Sequence, residues 1–217
     1  MMGTLYKVVT GFTHLPGHPR AGAYEALGSR LLEICGGYNF YRGELEDTWL
    51  FQMLREIGGE FTHSVSDNPQ KNTIEYQCVT HEKFRWLARA REEDSQSEVF
   101  IWIDYGVLHN PRITPEHIQT FLNRITDQRF AIPGCWAEKY VDYEQHPNWR
   151  FCGAVMVVPR AWVLPFYEAA RESVREYILR TRNISWDVNT MARVELAGKI
   201  PIEWYQADHD ETMFTAY

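Results

Sequence analysis

The sequence has no excess of positive charge. Its 217 residues include 22 Lys and Arg against 29 Asp and Glu, which gives a net charge of −7, and the basic residues form no continuous run. A protein that binds duplex nucleic acid neutralises phosphate charges and normally needs a basic surface for that purpose. We therefore do not expect nucleic acid to be the main partner of this protein.

Cysteine is scarce as well. The four cysteines, Cys35, Cys78, Cys135 and Cys152, include no CxxC motif and no closely spaced pair. Such spacing is typical neither of a zinc knuckle nor of a dense disulfide framework. We expect four free thiols, most of them serving as small buried hydrophobic side chains.

Long hydrophobic runs are also missing. No apolar stretch is long enough to span a bilayer, and the first residues do not combine a charged segment with a long apolar one. These absences predict a cytoplasmic protein with no transmembrane segment and no signal peptide.

What the sequence does contain is typical of a globular α/β protein. Hydrophobic residues make up 45% and charged residues 24% of the chain, which excludes a disordered or low-complexity protein. Short β-branched or apolar runs predict strands, and helical periodicity predicts helices between them. The predicted strands are 5–10, 99–104, 129–132, 151–158 and 200–205, and the predicted helices are 23–34, 44–57, 72–91, 114–125, 159–180 and 185–197. This alternation predicts one α/β sandwich over residues 1–217.

The most informative segment is residues 100–106, FIWIDYG. Its unbroken apolar character is typical of a strand buried on both faces of a parallel sheet. Asp104 follows directly, at the carboxyl edge where open α/β sheets bind ligands. A carboxylate there needs a metal, a basic side chain or backbone N–H groups as a partner, unless it only caps the following turn.

A second polar cluster lies near the end of the chain. Asp208, His209, Asp210 and Glu211 follow the last predicted strand. Together with Asp104 they predict an oxygen and nitrogen site for Mg²⁺ or Mn²⁺. The pattern alone favours the simpler interpretation, a solvated acidic loop.

Three further groups of side chains are candidates for ligand contacts. Asp187 and Asn189 begin a predicted helix capped by Ser185. At that position the only role of Asp187 could be to interact favourably with the positive end of the helix dipole. Lys71 and Asn72 begin the long helix 72–91, as an anion site or merely as a cap. The first loop contributes possible phosphate ligands, namely His14, His18 and Arg20.

The segment 133–149 is rich in Pro, Trp and Tyr and has weak periodicity, which predicts a long loop. Its aromatic side chains suit a mobile lid or a platform for an acceptor. These side chains are Trp136, Tyr140, Tyr143 and Trp149.

Together these segments resemble a GT-A nucleotide-sugar transferase, and the small bacterial HtrL/YibB glycosyltransferase-like family in particular. Residues 8–12 resemble the first strand and nucleotide-facing loop of that family, and residues 100–106 resemble the strand that ends in its DxD metal motif. The later matches follow in family order, at residues 152–159, 187–189 and 207–209. The resemblance implies a three-layer sandwich with a mostly parallel central sheet.

The resemblance also implies a function. The chain would transfer a sugar from a nucleoside diphosphate donor, with a UDP-sugar favoured, to a glycan or another hydroxyl acceptor. Mn²⁺ or Mg²⁺, bound by Asp104 and His209, would stabilise the diphosphate leaving group. Asp187 and Asn189 are the implied catalytic residues. The remaining implied donor-binding residues are Thr10, Gly11, Phe12, Lys71, Asn72, Tyr105, Gly106, Gly153 and Trp186.

The sequence departs from the family pattern at Gly106, which stands where the second acid of DxD is expected. Asp208 or Asp210 could help to hold the ion in its place. Two other outcomes follow from the same departure: the protein binds no metal, or it is a non-catalytic module that binds a nucleotide or a glycan on the same fold.

Overall fold

The computed structural model of the protein describes residues 5–15, 21–126, 128–139 and 146–217. Its strands are β1 Tyr6–Thr13, β2 Tyr38–Gly43, β3 Thr62–His63, β4 Val99–Ile103, β5 Ala131–Gly134, β6 Val155–Pro159, β7 Asn183–Ile184 and β8 Glu203–Gln206. Its helices are α1 Ala21–Cys35, α2 Trp49–Ile57, α3 Ile74–Glu93, α4 Pro115–Arg124, α5 Arg160–Thr181, α6 Asp187–Leu196 and α7 Thr212–Thr215.

Six strands form the central sheet in the order β2-β1-β4-β6-β5-β8. β1 pairs in parallel with β2 and β4, and β5 pairs in parallel with β8. Only β6 runs in the opposite direction, antiparallel to β4 and β5. The prediction of a mostly parallel central sheet is therefore confirmed. β3 and β7 form a separate parallel pair.

Helices cover both faces of this sheet, which makes the three-layer sandwich that was predicted. A hydrophobic core lies on each face of the sheet, and alternate side chains of β4 point into one core or the other. Phe100 and Trp102 pack with α2, α3, α5 and α6, whereas Ile101 and Ile103 pack with α1, α4 and α7. Because both faces of β4 are buried, its sequence is apolar without interruption.

The structure corrects the prediction at two elements near the amino-terminal end. β2 was not predicted, because it is an edge strand whose residues are mostly exposed or half-buried. The predicted helix 44–57 begins only at Trp49, after a 3-10 turn over Leu45–Asp47. Gly58, at a φ of 68°, is the C-cap of that helix.

The start of α6 also differs from its prediction. The N-cap residue is Trp186 rather than Ser185, and no side chain caps this helix. The Ser185 hydroxyl instead accepts a hydrogen bond from the Arg193 guanidinium at 2.8 Å. In the described part of the chain, no helix combines the length and the apolar character that crossing a bilayer requires.

Candidate functional site

A cavity of about 430 Å³ opens at the carboxyl edge of the parallel strands. β1, β4 and β8 end there, and β6 begins there because it runs in the opposite direction. The cavity brings together most of the residues predicted from the sequence. Those that line it are Gly11, Phe12, Lys71, Asp104, Tyr105, Gly106, Gly153, Trp186, Asp187 and His209.

Lys83 on α3 joins two of the predicted acids. Its ammonium lies 2.7 Å from Asp187 Oδ2 and 3.4 Å from Asp104 Oδ1, and it donates a hydrogen bond of 2.6 Å to the Gly153 carbonyl. The Trp102 indole N–H donates to the same Asp104 oxygen at 2.7 Å. The carboxylate that ends β4 therefore has a basic side chain as its partner.

The three charges of this cluster differ in their exposure. The side chains of Lys83 and Asp187 are each 6% exposed, whereas that of Asp104 is 42% exposed and faces the cavity. Burial alone would lower the pKa of Lys83, but the charges of Asp104 and Asp187 outweigh it and raise that pKa. Lys83 is thus a fixed ammonium between two carboxylates, and the cluster carries one net negative charge.

Sequence reasoning missed Lys83, although a signal for it exists. Residues three or four positions apart share a helix face, and Lys83 shares its face with Val79, Trp86 and Leu87. A lysine on an apolar helix face is unusual, because a buried ammonium needs a charged partner.

Gly153 leaves the space in which Lys83 and Asp187 form their ion pair. A Cβ atom at that position would lie 2.9 Å from Asp187 Oδ2 and 3.2 Å from Lys83 Nζ. The absence of a side chain there lets the backbone carbonyl approach the ammonium. Gly153 therefore shapes the ion cluster, in addition to lining the cavity.

Gly106 leaves room for an aromatic side chain. A Cβ atom there would lie 2.5 Å from the Tyr24 ring. An aspartate at this position, as in a DxD motif, would require Tyr24 to move. The Tyr24 ring thus occupies the space that a side chain at position 106 would need.

The cavity has aromatic walls near the ends of β1 and β4. Tyr105 is buried and stacks on Phe40 with ring centroids 4.9 Å apart, and Phe12 packs against it at 5.5 Å. Trp86 and Trp102 stack at 5.9 Å behind the ion cluster. Among the rings that line the cavity, Tyr105, Trp86 and Trp102 are buried and Phe12 is partly exposed, so Phe12 offers the accessible apolar surface to a base or a sugar ring.

Three predicted site residues lie outside the lining. Thr10 is fully buried in β1. The Asn72 side chain bonds to Ser66, and Thr73 rather than Asn72 caps α3. The amide of Asn189 accepts from the Asn148 N–H and donates to the His146 carbonyl, each at 2.8 Å. Asn189 therefore anchors the chain before Trp149.

His209 lines the cavity after β8. Its Nδ1 lies 3.5 Å from Cys135 Sγ, and its ring packs edge-on against Trp149 with centroids 4.4 Å apart. The Cys152 thiol lies 3.6 Å from Cys135 and, with His209, lowers the pKa of the Cys135 thiol. Cys135 is half-buried, whereas Cys35, Cys78 and Cys152 are buried, as was predicted for most of the four cysteines.

Of the loop residues predicted to contact ligand, Trp149 lines the cavity, whereas His14 and Trp136 do not. Four others lie outside the described residues: His18, Arg20, Tyr140 and Tyr143. Asp210 bonds to Thr212 and Arg112. Neither Asp210 nor Asp208 reaches the cavity wall.

Asp104 and His209, the two residues predicted to hold a divalent ion, both line the cavity and could contribute ligand atoms. Both hydrogen bonds to the Asp104 carboxylate from described residues are made to Oδ1, which leaves Oδ2 for an ion. His209 has Nε2 when its Nδ1 faces Cys135. An oxygen and a nitrogen suit Mn²⁺, and a diphosphate would have to supply further ligands.

His81 lies two residues before Lys83 and is fully enclosed. Nδ1 lies 2.8 Å from the Gln77 carbonyl, and Nε2 lies 3.0 Å from the Thr190 hydroxyl. Burial lowers the pKa of His81 to about 4, and the opposing charge of Asp187 does not outweigh it. The charges of Arg193 and Lys83 lower the pKa further.

This histidine makes the stability of the fold depend on pH. Between about pH 6.5 and about pH 4 the unfolded chain binds a proton at His81 that the folded chain does not. The free energy of unfolding therefore decreases as the pH is lowered through this range. We expect the free energy of unfolding of the wild type, minus that of His81→Gln, to fall by about 3 kcal/mol from pH 7 to pH 4. Urea unfolding at a series of pH values measures this difference. A difference that does not change with pH would contradict the assignment.

No protein-family model matches the sequence, and no curated protein matches it. The fold is of the GT-A nucleotide-diphospho-sugar transferase type. It is similar to that of a glycosyltransferase involved in the glycosylation of the major capsid of PBCV-1, with a TM-score of 0.52, 16% identity, and coverage of 94% of this chain and 82% of that chain.

Two other solved structures show weaker similarity. One is 4-diphosphocytidyl-2C-methyl-D-erythritol synthase from Anaerococcus prevotii, with a TM-score of 0.45, 11% identity, and 95% and 90% of the two chains covered. The other is CMP:2-keto-3-deoxy-manno-octonic acid synthetase complexed with CTP, with a TM-score of 0.44, 15% identity, and 94% and 90% covered. The resemblance to the HtrL/YibB family stays a prediction.

Proposed function

We propose that this protein transfers a sugar from a nucleoside diphosphate sugar, with a UDP-sugar as the favoured donor, to a hydroxyl acceptor such as a glycan. The observation that carries the proposal is the position of Asp104. It stands at the carboxyl end of β4, half-exposed, in the same cavity as His209 and Lys83. A cavity of about 430 Å³ lies within the size range of ligand sites.

The reaction breaks the bond between the anomeric carbon and the diphosphate oxygen and forms a bond to the acceptor oxygen. The bonding electron pair leaves with the diphosphate, and the acceptor hydroxyl loses its proton. Mn²⁺ or Mg²⁺ at Asp104 and His209, when bound, would stabilise the charge of the leaving diphosphate. In this proposal Lys71, which also lines the cavity, adds a second cation for the phosphates.

Asp187 is the residue proposed to orient the sugar or to accept the proton of the acceptor. Lys83 holds its Oδ2 at 2.7 Å, which fixes the carboxylate towards the cavity. Phe12, which is partly exposed on the cavity wall, supplies the apolar surface against which the base packs, and Trp149 offers a ring for the acceptor.

A thermal-shift panel tests the donor and the ion together. Nucleoside diphosphates and their sugars are added with and without Mn²⁺. A ligand at about 100 times its Kd stabilises the native state by about 2.7 kcal/mol, which raises the Tm by several degrees. We expect such a shift with one nucleotide class, larger in Mn²⁺. No shift with any nucleotide would overturn the proposal.

Asp104→Asn should remove the Mn²⁺-dependent part of this binding, because the neutral amide is a poor ligand for the ion. We expect at least a tenfold loss of nucleotide affinity in Mn²⁺, with a Tm within about 2 °C of the wild type. The small change in Tm follows from the 42% exposure of the Asp104 side chain. Asp47→Asn, at an exposed position outside the cavity, is the matched control. Unaltered binding in Asp104→Asn would disprove the metal assignment.

A second candidate function is favoured by the Tyr24 ring that fills the place of the missing acid beside Gly106. A non-catalytic module would bind the nucleotide or the glycan without turnover. Slow release of nucleoside diphosphate from the donor, followed by chromatography, separates the two functions, since a binding module releases none.

A further inference from the structure

Three potential metal ligands converge beside the cavity, at the ends of three neighbouring strands. Cys135 directly follows β5, Cys152 lies three residues before β6, and His209 lies three residues after β8. One ligand atom from each residue, two sulfurs and a ring nitrogen, lies within 4.8 Å of both others. Residues 74 and 17 positions apart in the sequence thus form a compact cluster.

The distances within this cluster match those around a tetrahedral zinc ion. Bonds of about 2.3 Å to sulfur and 2.0–2.1 Å to nitrogen place two sulfurs about 3.8 Å apart, and a sulfur about 3.5 Å from a nitrogen. The structure has 3.6 Å between the two Sγ atoms and 3.5 Å between Cys135 Sγ and His209 Nδ1. A third edge, from Cys152 to His209, stays within 4.8 Å.

The charge and softness of these ligands also favour zinc. Two thiolates and a neutral imidazole balance the charge of a divalent ion, which allows the ion to sit beside the fully buried Cys152. Thiolate ligands select Zn²⁺ over Mg²⁺ and Mn²⁺. The sulfurs are also well beyond the length of a disulfide bond, which is about 2.0 Å.

We propose that Cys135, Cys152 and His209 bind one Zn²⁺ through the two sulfurs and Nδ1, with the fourth position open to water. Cys135 is half-buried and His209 is exposed, so this position has access to solvent. The ion would tie together the segments after β5, before β6 and after β8. Gly153, Ala154 and His209 of these segments line the cavity, so zinc would rigidify one of its walls.

Metal analysis of the full-length protein, purified with its thiols reduced, tests the site directly. We expect one zinc per chain after gel filtration, and at least a tenfold loss of zinc content in Cys135→Ser and in Cys152→Ser. Cys35→Ala and Cys78→Ala are the matched controls and should keep the ion, because these cysteines lie in other parts of the two cores.

Cobalt provides a measurement that needs no variant. Co²⁺ added to the reduced wild type in place of zinc should give the visible absorption of a tetrahedral ion and a sulfur-to-cobalt charge-transfer band, both saturating at one equivalent. Reduced protein that binds neither ion stoichiometrically would overturn the proposal. So would a cobalt spectrum without thiolate ligation, or a Cys135–Cys152 disulfide as the only state of the purified chain.

The zinc site stands independently of the proposed sugar transfer. Asp104→Asn should lose Mn²⁺-dependent nucleotide binding but keep one zinc per chain, because Asp104 is not in the zinc cluster. His209 belongs to both sites, but its neutral ring binds one ion at a time, because Nε2 carries the proton when Nδ1 binds zinc. With zinc bound, the ion of the donor site would be held by Asp104 and the diphosphate, and the two cysteine variants therefore distinguish the sites. A zinc-loaded protein without nucleotide binding would refute only the transferase, and nucleotide binding without zinc would refute only this site.

Discussion

Lys83→Met should destabilise the protein by about 3–5 kcal/mol, because it removes the cation from a buried ion cluster. The side chains of Lys83 and Asp187 are each only 6% exposed. The methionine fills most of the space of the lysine stem, so the loss comes mainly from the Asp187 carboxylate, which would be left without the ammonium at 2.7 Å. Urea unfolding followed by circular dichroism measures the change.

A second substitution separates the unpaired charge from the lost packing. Lys83→Met combined with Asp187→Asn leaves only Asp104, which can be hydrated because its side chain is 42% exposed. We expect the double variant to recover more than half of the loss. Lys199→Met removes an exposed lysine from a surface ion pair and should cost less than 1 kcal/mol. Equal losses in the single and double variants would show that the charge of Asp187 is not the cause.

The organisation of the sheet was largely predictable, because its central strands have continuous apolar sequences. β4 and β6 are buried on both faces. β4 is a run of five apolar residues, and β6 is a run of four apolar residues followed by Pro159. β2 escaped prediction because an edge strand need not be apolar, and Tyr38 in it is 42% exposed. The two-residue strands β3 and β7 carry too little sequence to show any periodicity.

The cavity lining was predictable where chemistry coincides with the end of a strand of the central sheet, as at Asp104 and His209, or with the start of a helix, as at Asp187. It was not predictable where residues distant in sequence meet. Lys83 reaches Asp187 across more than one hundred residues, and only the packing of α3 against the sheet and α6 brings them together. The same holds for the cluster of Cys135, Cys152 and His209, since sequence spacing carries no information on which strands become neighbours in the sheet.

The wall of the cavity near Trp149 depends on a second buried ion pair. Arg150 donates from Nε and Nη2 to the two carboxylate oxygens of Glu195 at 2.9 and 2.8 Å, and from Nη1 to the carbonyls of Trp136 and Ala137. The Trp149 carbonyl in turn accepts from the N–H groups of Cys135 and Trp136. Arg150 therefore connects α6 to the chain that presents Trp149 to His209.

Arg150→Met should destabilise the protein by about 3–5 kcal/mol, since it leaves the buried Glu195 carboxylate without its bidentate partner. Lys139, 3.6 Å from Glu195 and itself 59% exposed, can offset only a small part of this loss. Arg150→Lys keeps the charge but not the planar pair of donors, so its loss should be intermediate. The free energy of unfolding from urea titration measures both variants.

Two comparisons assign this loss to its cause. Adding Glu195→Gln to Arg150→Met removes the unpaired charge and should restore more than half of the lost stability, if charge burial dominates. Arg112→Met breaks an ion pair with Asp210 in which the arginine is 70% exposed, and should cost less than 1 kcal/mol. If Arg150→Met were as mild as Arg112→Met, the wall beside Trp149 would have to be held by its backbone hydrogen bonds alone. In that case the nucleotide affinity of the variant should equal that of the wild type.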